Sequence, residues 1–209
     1  DVTDADSPTV LWDITSKEQP DLGFTFGDPV ITRLADGEWV AIFGNGYNGD
    51  GNKARLFVVD LFSEGNVRET DSKVLENSSG SNGLSGVAPL LDPETRQFTT
   101  RVYAGDLNGT VWRVDFDAGS GAADVKYDNG LFTDPAGRSI TSTPGLAANP
   151  GGGLFVYVGT GKLIEPEDRL GESLALEHLY ALRDQESALS SDPDFGEPSI
   201  SNSPDGRVI

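Results

Sequence analysis

A pair of short apolar strands, repeated three times along 209 residues, constrains this chain more than anything else in it. The middle copy is residues 101–116, RVYAGDLNGTVWRVDF. It reads as strands RVYAG and TVWRVDF closed by a tight turn, Asp106-Leu107-Asn108-Gly109. Asn-Gly between β-branched and aromatic runs is the strongest short-range hairpin signal, because both residues tolerate positive φ. Upstream, EWVAIFGNG (38–46) and ARLFVVD (54–60) make the same pair; downstream, GLFVYVGTG (153–161) and HLYALRD (178–184) make it again. In each copy one strand ends on a glycine (Gly44, Gly105, Gly159) and its partner on an aspartate (Asp60, Asp115, Asp184).

Further strands flank each pair. In the first unit, 29–34 precedes the Asp36-Gly37 turn and 39–43, and 55–60 is followed by a fourth candidate around 67–75. The second unit runs GVAPLLD, RVYAG, TVWRVDF and AADVKYD; the third runs ITSTPGLAA, GLFVYVG and HLYALRD before an irregular tail. Pro29, Pro89 and Pro144 mark the first strands, spaced by roughly 55 to 60 residues. Many short strands with glycine-rich turns at such a period predict an all-β fold, a β-propeller of four-stranded blades. Closure takes about 4–8 blades. About three are present, roughly 24–76, 84–128 and 139–200, so the expected ring is incomplete. Residues 1–16 are expected to hold a strand of a preceding blade, at 10–14. The chain starts and stops in mid-pattern without a methionine, which suggests a piece of something longer.

Strand alternation sends every loop between second and third strands to one face of the disc. That loop is a tight turn in the middle unit, but it swells to 44–54 in the first and 159–177 in the third. Enlarged loops on a rigid scaffold are where binding resides. The candidates are Tyr47, Asn48, Asp50 and Asn52, then Lys162, Glu165, Glu167 and Asp168. Tolerated surface insertion is the plain alternative.

Other chemistries find little support. Thirty-four acids against 15 bases give a net charge of −19, which opposes nucleic-acid binding. With no cysteine there is no disulfide, thiolate nucleophile or zinc-thiolate site. No apolar run approaches the roughly 18 residues of a membrane span. Gly161-Lys162 lacks the first glycine and the Ser or Thr of a phosphate loop, having Val156 and Leu163 there. Gly151-Gly152-Gly153 lies between strands and is a turn. His178 stands alone, and no serine is flanked as GxSxG. Glu165, Glu167 and Asp168 could pair as acid and base, but their loop is charge-rich. Asp1, Asp4 and Asp6 read as a solvated turn rather than a cation loop, with no closing bidentate acid. The chain is not expected to be an enzyme.

Three stretches carry a family resemblance: DLGFTFGDPVITRLADGEWVAIFGNGYN, RVYAGDLNGTVWRVDF and FVYVGTGKLIEPED. In that order they resemble the C-terminal β-propeller of the PilY/PilC family, large proteins of bacterial type IV pili, over about residues 21–184. The resemblance implies export through the periplasm, a place at the cell surface, pilus tip or outer membrane, and roles in pilus assembly, attachment and surface sensing. The implied partners are minor pilins or the tip complex and a host or abiotic surface receptor. RVYAGDLNGTVWRVDF alone is also similar to quinoprotein-type propeller repeats. The rival readings are therefore a quinoprotein-type dehydrogenase and a generic outer-membrane assembly scaffold.

The family often has a calcium loop just before YAGDL, close to DxDxDxxxD. The aligned stretch here is DPETRQFTT, residues 92–100. Asp92 fits and Glu94 is admissible, but Arg96 puts a cation at a ligand position and Thr100 cannot close the shell. The expectation is a lost calcium site, with Arg96 pairing to Asp92 or Glu94 in place of the ion, and no cofactor. Asn45, Asn48, Asp50 and Asn52 form a second oxygen-rich loop, which glycine-asparagine turns explain.

Overall fold

A computed structural model describes residues 2–69, 71–75, 81–150, 152–169 and 176–185. The first sheet has the order β1 (Val30–Arg33), β2 (Trp39–Gly44), β3 (Ala54–Asp60), β4 (Lys73–Leu75). The second is β5 (Leu84–Leu91), β6 (Thr99–Asp106), β7 (Thr110–Phe116), β8 (Ala123–Val125), with β9 (Phe132–Thr133) also pairing β7. The third is β10 (Gly145–Ala148), β11 (Leu154–Gly159), β12 (Leu179–Asp184). All neighbouring strands are antiparallel. The fold is an all-β, incomplete propeller. The stretch expected to complete the third blade lies beyond residue 185, outside the described residues.

Each sheet packs on the next through one face of its alternating strands. Val40, Ile42, Leu56 and Val58 of the first blade meet Val102, Ala104, Trp112 and Val114 of the second in one core. Tyr103 and Val111, on the second blade's other face, meet Val156, Val158, Tyr180 and Leu182 of the third. Full burial of one such aliphatic side chain stabilises by about 1.5–3 kcal/mol.

Register shows what the repeat does not. Gly44 pairs Leu56, Gly105 pairs Val111, and Gly159 pairs Leu179. Counting from those glycines, Asp60 and Asp115 are equivalent, opposite Val40 and Arg101. Asp184 lies one residue further, opposite Leu154. Period-2 alternation therefore turns its side chain to the other face, against the second blade. There Arg113 Nη1 reaches both carboxylate oxygens at 3.0 and 2.8 Å, and the Tyr103 hydroxyl donates at 2.6 Å. The rest of the Arg113 guanidinium grips Asp115 at 2.7 Å through Nε and through Nη2. Arg113 and Asp184 are both fully buried, so the second blade is charge-paired to the third.

Three local expectations change. The 106–110 turn places only Gly109 in the left-handed region, at φ 79°; Asn108 is not there, which is a three-residue loop rather than a two-residue Asn-Gly turn. Residues 10–14 make no strand in this structure: Trp12 and Ile14 lie on the first blade's outer face beside Ala41, Phe57 and Val59, and Trp12 Nε1 donates to the Leu61 carbonyl at 3.1 Å. The fourth strand of the first blade is short, β4 plus a bridge from Val59 to Val67.

Candidate binding face

The residue after each repeat glycine organises its loop: Asn45, Asp106 and Thr160. Asn45 is buried and fully engaged. Its Nδ2 donates to the Asp21 and Lys53 carbonyls at 2.9 and 2.8 Å, and its Oδ1 accepts from Arg55 N and Leu84 N. Asp106 accepts four hydrogen bonds: Asn108 N and Thr110 N on Oδ1, Asn82 Nδ2 and Trp112 Nε1 on Oδ2. Burial pushes its pKa up, and these four donors offset that only in part. Thr160 is half-buried; its hydroxyl donates to Glu177 and accepts from His178 N.

These loops interlock with the segment leading into the following blade. Gly46 N donates to the Leu84 carbonyl at 3.1 Å, and Ile140 N to the Asp106 carbonyl at 2.9 Å. Gly44 and Gly105 sit at these close approaches. A Cβ on Gly44 would lie 2.3 Å from the Ser85 carbonyl oxygen, and one on Gly105 2.2 Å from Ile140 Cγ2. Around a Cβ on Gly159 nothing among the described residues lies within 4 Å.

The candidate side chains divide by environment. Tyr47 is buried, which lifts its pKa to about 12, and its hydroxyl is 3.5 Å from the Thr141 carbonyl. Asn48 and Asn52 occupy left-handed corners at φ 61° and 53°, and Asp50 is exposed. Lys162 pairs with Glu165 at 3.2 Å and Asp168 at 3.3 Å. Asp168 also caps Ile164 N and Glu165 N, bonds that lower its pKa. Glu167 lies in a 3-10 turn, Pro166–Arg169; its side chain is outside the described set. No hydrogen bond or ion pair joins the two candidate groups among the described residues. His178 pairs its backbone with Thr160, its ring 5.4 Å from that of Tyr180.

In the 92–100 loop Thr95, not Arg96, occupies the Asp92 carboxylate. Oδ1 accepts from Thr95 N at 2.7 Å and Thr95 Oγ1 at 2.8 Å, which lowers the Asp92 pKa. Arg96 takes a left-handed φ of 54° and donates its N–H to the Asp92 carbonyl. Glu94 is exposed, and the Thr100 hydroxyl donates to the Leu90 carbonyl. The expected Arg96 pairing with Asp92 is thus replaced by a turn closed on Thr95. Asp6 N donates to Asp4 Oδ1, a local turn at the other acidic stretch. Among the described residues no three His, Cys, Asp or Glu side chains cluster as a metal site, and no helix is long and apolar enough to cross a membrane.

One feature of this face escaped the motif reading. A cavity of about 240 Å³ is lined by Phe26, Asp28, Tyr47, Ser85, Thr141 and Thr143, contributed by all three blades. The signal was in the alternation of GFTFGDPVI: Phe26 and Asp28 line this cavity, while Thr25, Pro29 and Ile31 line an apolar groove on the first blade's outer side.

The repeat, the sheet order and the interlocked loops define an incomplete β-propeller. Residues 1–192 match the family model described as the PilY1 beta-propeller domain, and the chain belongs to that family. It is 32% identical to the type IV pilus biogenesis factor PilY1 of Pseudomonas aeruginosa PAO1, over 89% of this chain and 18% of that protein. A PilY1 homolog of Xylella fastidiosa is 33% identical, over 88% of this chain and 14% of its own length. The crystal structure of the Pseudomonas aeruginosa PilY1 C-terminal domain superposes with a TM-score of 0.79 at 31% identity, covering 91% of this chain and 43% of that one. This chain therefore spans less than a fifth of the length of the full-length relatives it matches.

Proposed function

We propose that this chain is a non-catalytic module of a type IV pilus assembly and adhesion protein at the bacterial cell surface. It acts by binding through the enlarged loops of one propeller face. Its partners are minor pilins or the tip complex, and a host or abiotic surface receptor. The observation that carries this reading is the contrast among equivalent loops. The second blade closes 106–110 with a minimal turn, whereas the first and third spend residues 45–55 and 160–178 at the same height. The relatives' designation as type IV pilus biogenesis factors supports the setting.

Calcium has no part in this reading at residues 92–100. Thr95 already engages the one well-placed carboxylate, whereas Ca²⁺ needs about six to eight oxygen donors. Calorimetric titration of the full-length protein, with and without Asp92→Ala, tests this; a tight site lost with Asp92 would reject it.

The function is tested in cells by shortening residues 46–54 and 162–177 separately to tight turns, then counting surface pili and attached cells. Normal pili with lost attachment is the expected result. Lost pili, with the protein folded and exported, would assign the module to assembly. No change in either would reject the role of these loops.

A further inference from the structure

The lead-in to the first blade carries an unusual exposure pattern. Phe24 and Phe26 are 59% and 71% exposed, their ring centroids 6.3 Å apart, and Phe26 lies 6.2 Å from the buried Tyr47. Two neighbouring phenyl rings left in water on one segment mark a surface that gains by being covered. Asp28 follows two residues on and lines the same cavity as Phe26 and Tyr47. Its carboxylate has no hydrogen-bond or ion-pair partner among the described residues, unlike nearby Asp21, which Arg55 holds at 2.9 Å. The hydroxyl-bearing residues Ser85, Thr141 and Thr143 complete the lining.

We propose that Phe24, Phe26, Asp28 and Tyr47 form a receptor site for a cationic side chain, an arginine or lysine presented by a basic segment of a partner protein. The chemistry is complementary at each point. An aromatic face attracts a cation through its quadrupole. The unpartnered carboxylate supplies the charge-assisted hydrogen bond. The hydroxyls accept the remaining N–H donors of a guanidinium or ammonium. A chain with a net charge of −19 draws basic segments and repels anionic ones over the whole approach. The inference rests on the binding role proposed above, and it names the chemistry of what is bound.

The test uses the full-length protein and fluorescently labelled hexa-arginine, hexa-lysine and a neutral glycine-serine hexamer, with binding read by fluorescence anisotropy. The two basic probes should bind and the neutral one should not; whichever basic probe binds more tightly identifies the head group. Asp28→Asn and Phe26→Ala should each weaken binding by about fivefold or more, and Phe26→Tyr should preserve it, since the ring face remains. Glu94→Gln, an exposed acid in the separate 92–100 loop, should change it by less than about twofold. Equal losses in Asp28→Asn and Glu94→Gln would mean diffuse charge attraction and overturn the site, as would no binding at all. Thermal unfolding of each variant excludes misfolding, which is not expected at residues this exposed. Lost peptide binding with unchanged cell attachment would keep the site and reject its role in adhesion.

Discussion

On the second blade, the face turned to the third carries Arg101, Tyr103, Gly105, Val111, Arg113 and Asp115. The register-equivalent set on the third blade is Phe155, Tyr157, Gly159, Leu179, Ala181 and Arg183. The first set is buried or half-buried. In the second, Leu179 is 79% and Tyr157 39% exposed. The third blade's set keeps apolar residues where the first blade has Val40, Ile42, Leu56 and Val58, all buried under a neighbour. A blade's burial is thus decided by what stands beside it, while its strands carry the pattern whether or not that face is covered.

This contrast can be broken at several points. Arg113→Ala should have the largest effect, about 3–5 kcal/mol lost in denaturant unfolding, because it takes from the buried Asp184 carboxylate its closest cationic partner. Replacing both with apolar residues, Arg113→Met with Asp184→Leu, should recover most of that loss. Gly105→Ala should cost about 1–3 kcal/mol, since the new methyl meets Ile140, whereas Gly159→Ala should stay within about 0.5 kcal/mol. Equal costs at the two glycines would show that the backbone itself, rather than a covering neighbour, demands glycine.

Acid unfolding sharpens the same comparison at the joint between the second and third blades. Burial raises the Asp134 pKa, but hydrogen bonds from Arg138 and from Tyr180 of the third blade outweigh it and hold the group at about 2, against an ordinary 3.8. A depressed carboxylate pKa adds stability that is present above the ordinary value and lost as pH falls toward the folded one. Stability measured from pH 4 down to pH 2 should therefore drop less steeply in Asp134→Asn than in the parent. The smallest effect is expected on the face that is exposed among the described residues, where Leu179→Ser should shift stability by less than about 0.5 kcal/mol.

Much of the architecture was legible in the sequence because central strands announce themselves by alternation. Trp39–Gly44, Ala54–Asp60 and Leu179–Asp184 fall within a residue of their apolar runs. Outer strands were harder. β9 was missed altogether, since Phe132–Thr133 is two residues long and defined only by its pairing with β7. The loop at Asp92 was legible as a departure from a calcium pattern, but not as a turn closed by Thr95, because a threonine hydroxyl and backbone N–H leave no compositional mark. Asp184 misled by matching too well: the run ending in aspartate hid a one-residue offset that only the pairing with β11 reveals. The loop candidates were found by length alone. Length could not separate Tyr47, folded inward, from Asp50, which is exposed.

That offset gives the repeat a means of telling its own members apart. Modules of like shape and like apolar faces are prone to dock in the wrong order, a characteristic failure of repeat and multidomain chains. Arg113 makes the second blade selective. Any neighbour that does not bring a carboxylate to the height of Asp184 leaves the buried Arg113 with Asp115 but without the acceptor for its Nη1, which the interior tolerates poorly. The pair works as an address written into an otherwise interchangeable surface, so that the sequence of blades in space follows the sequence of blades in the chain.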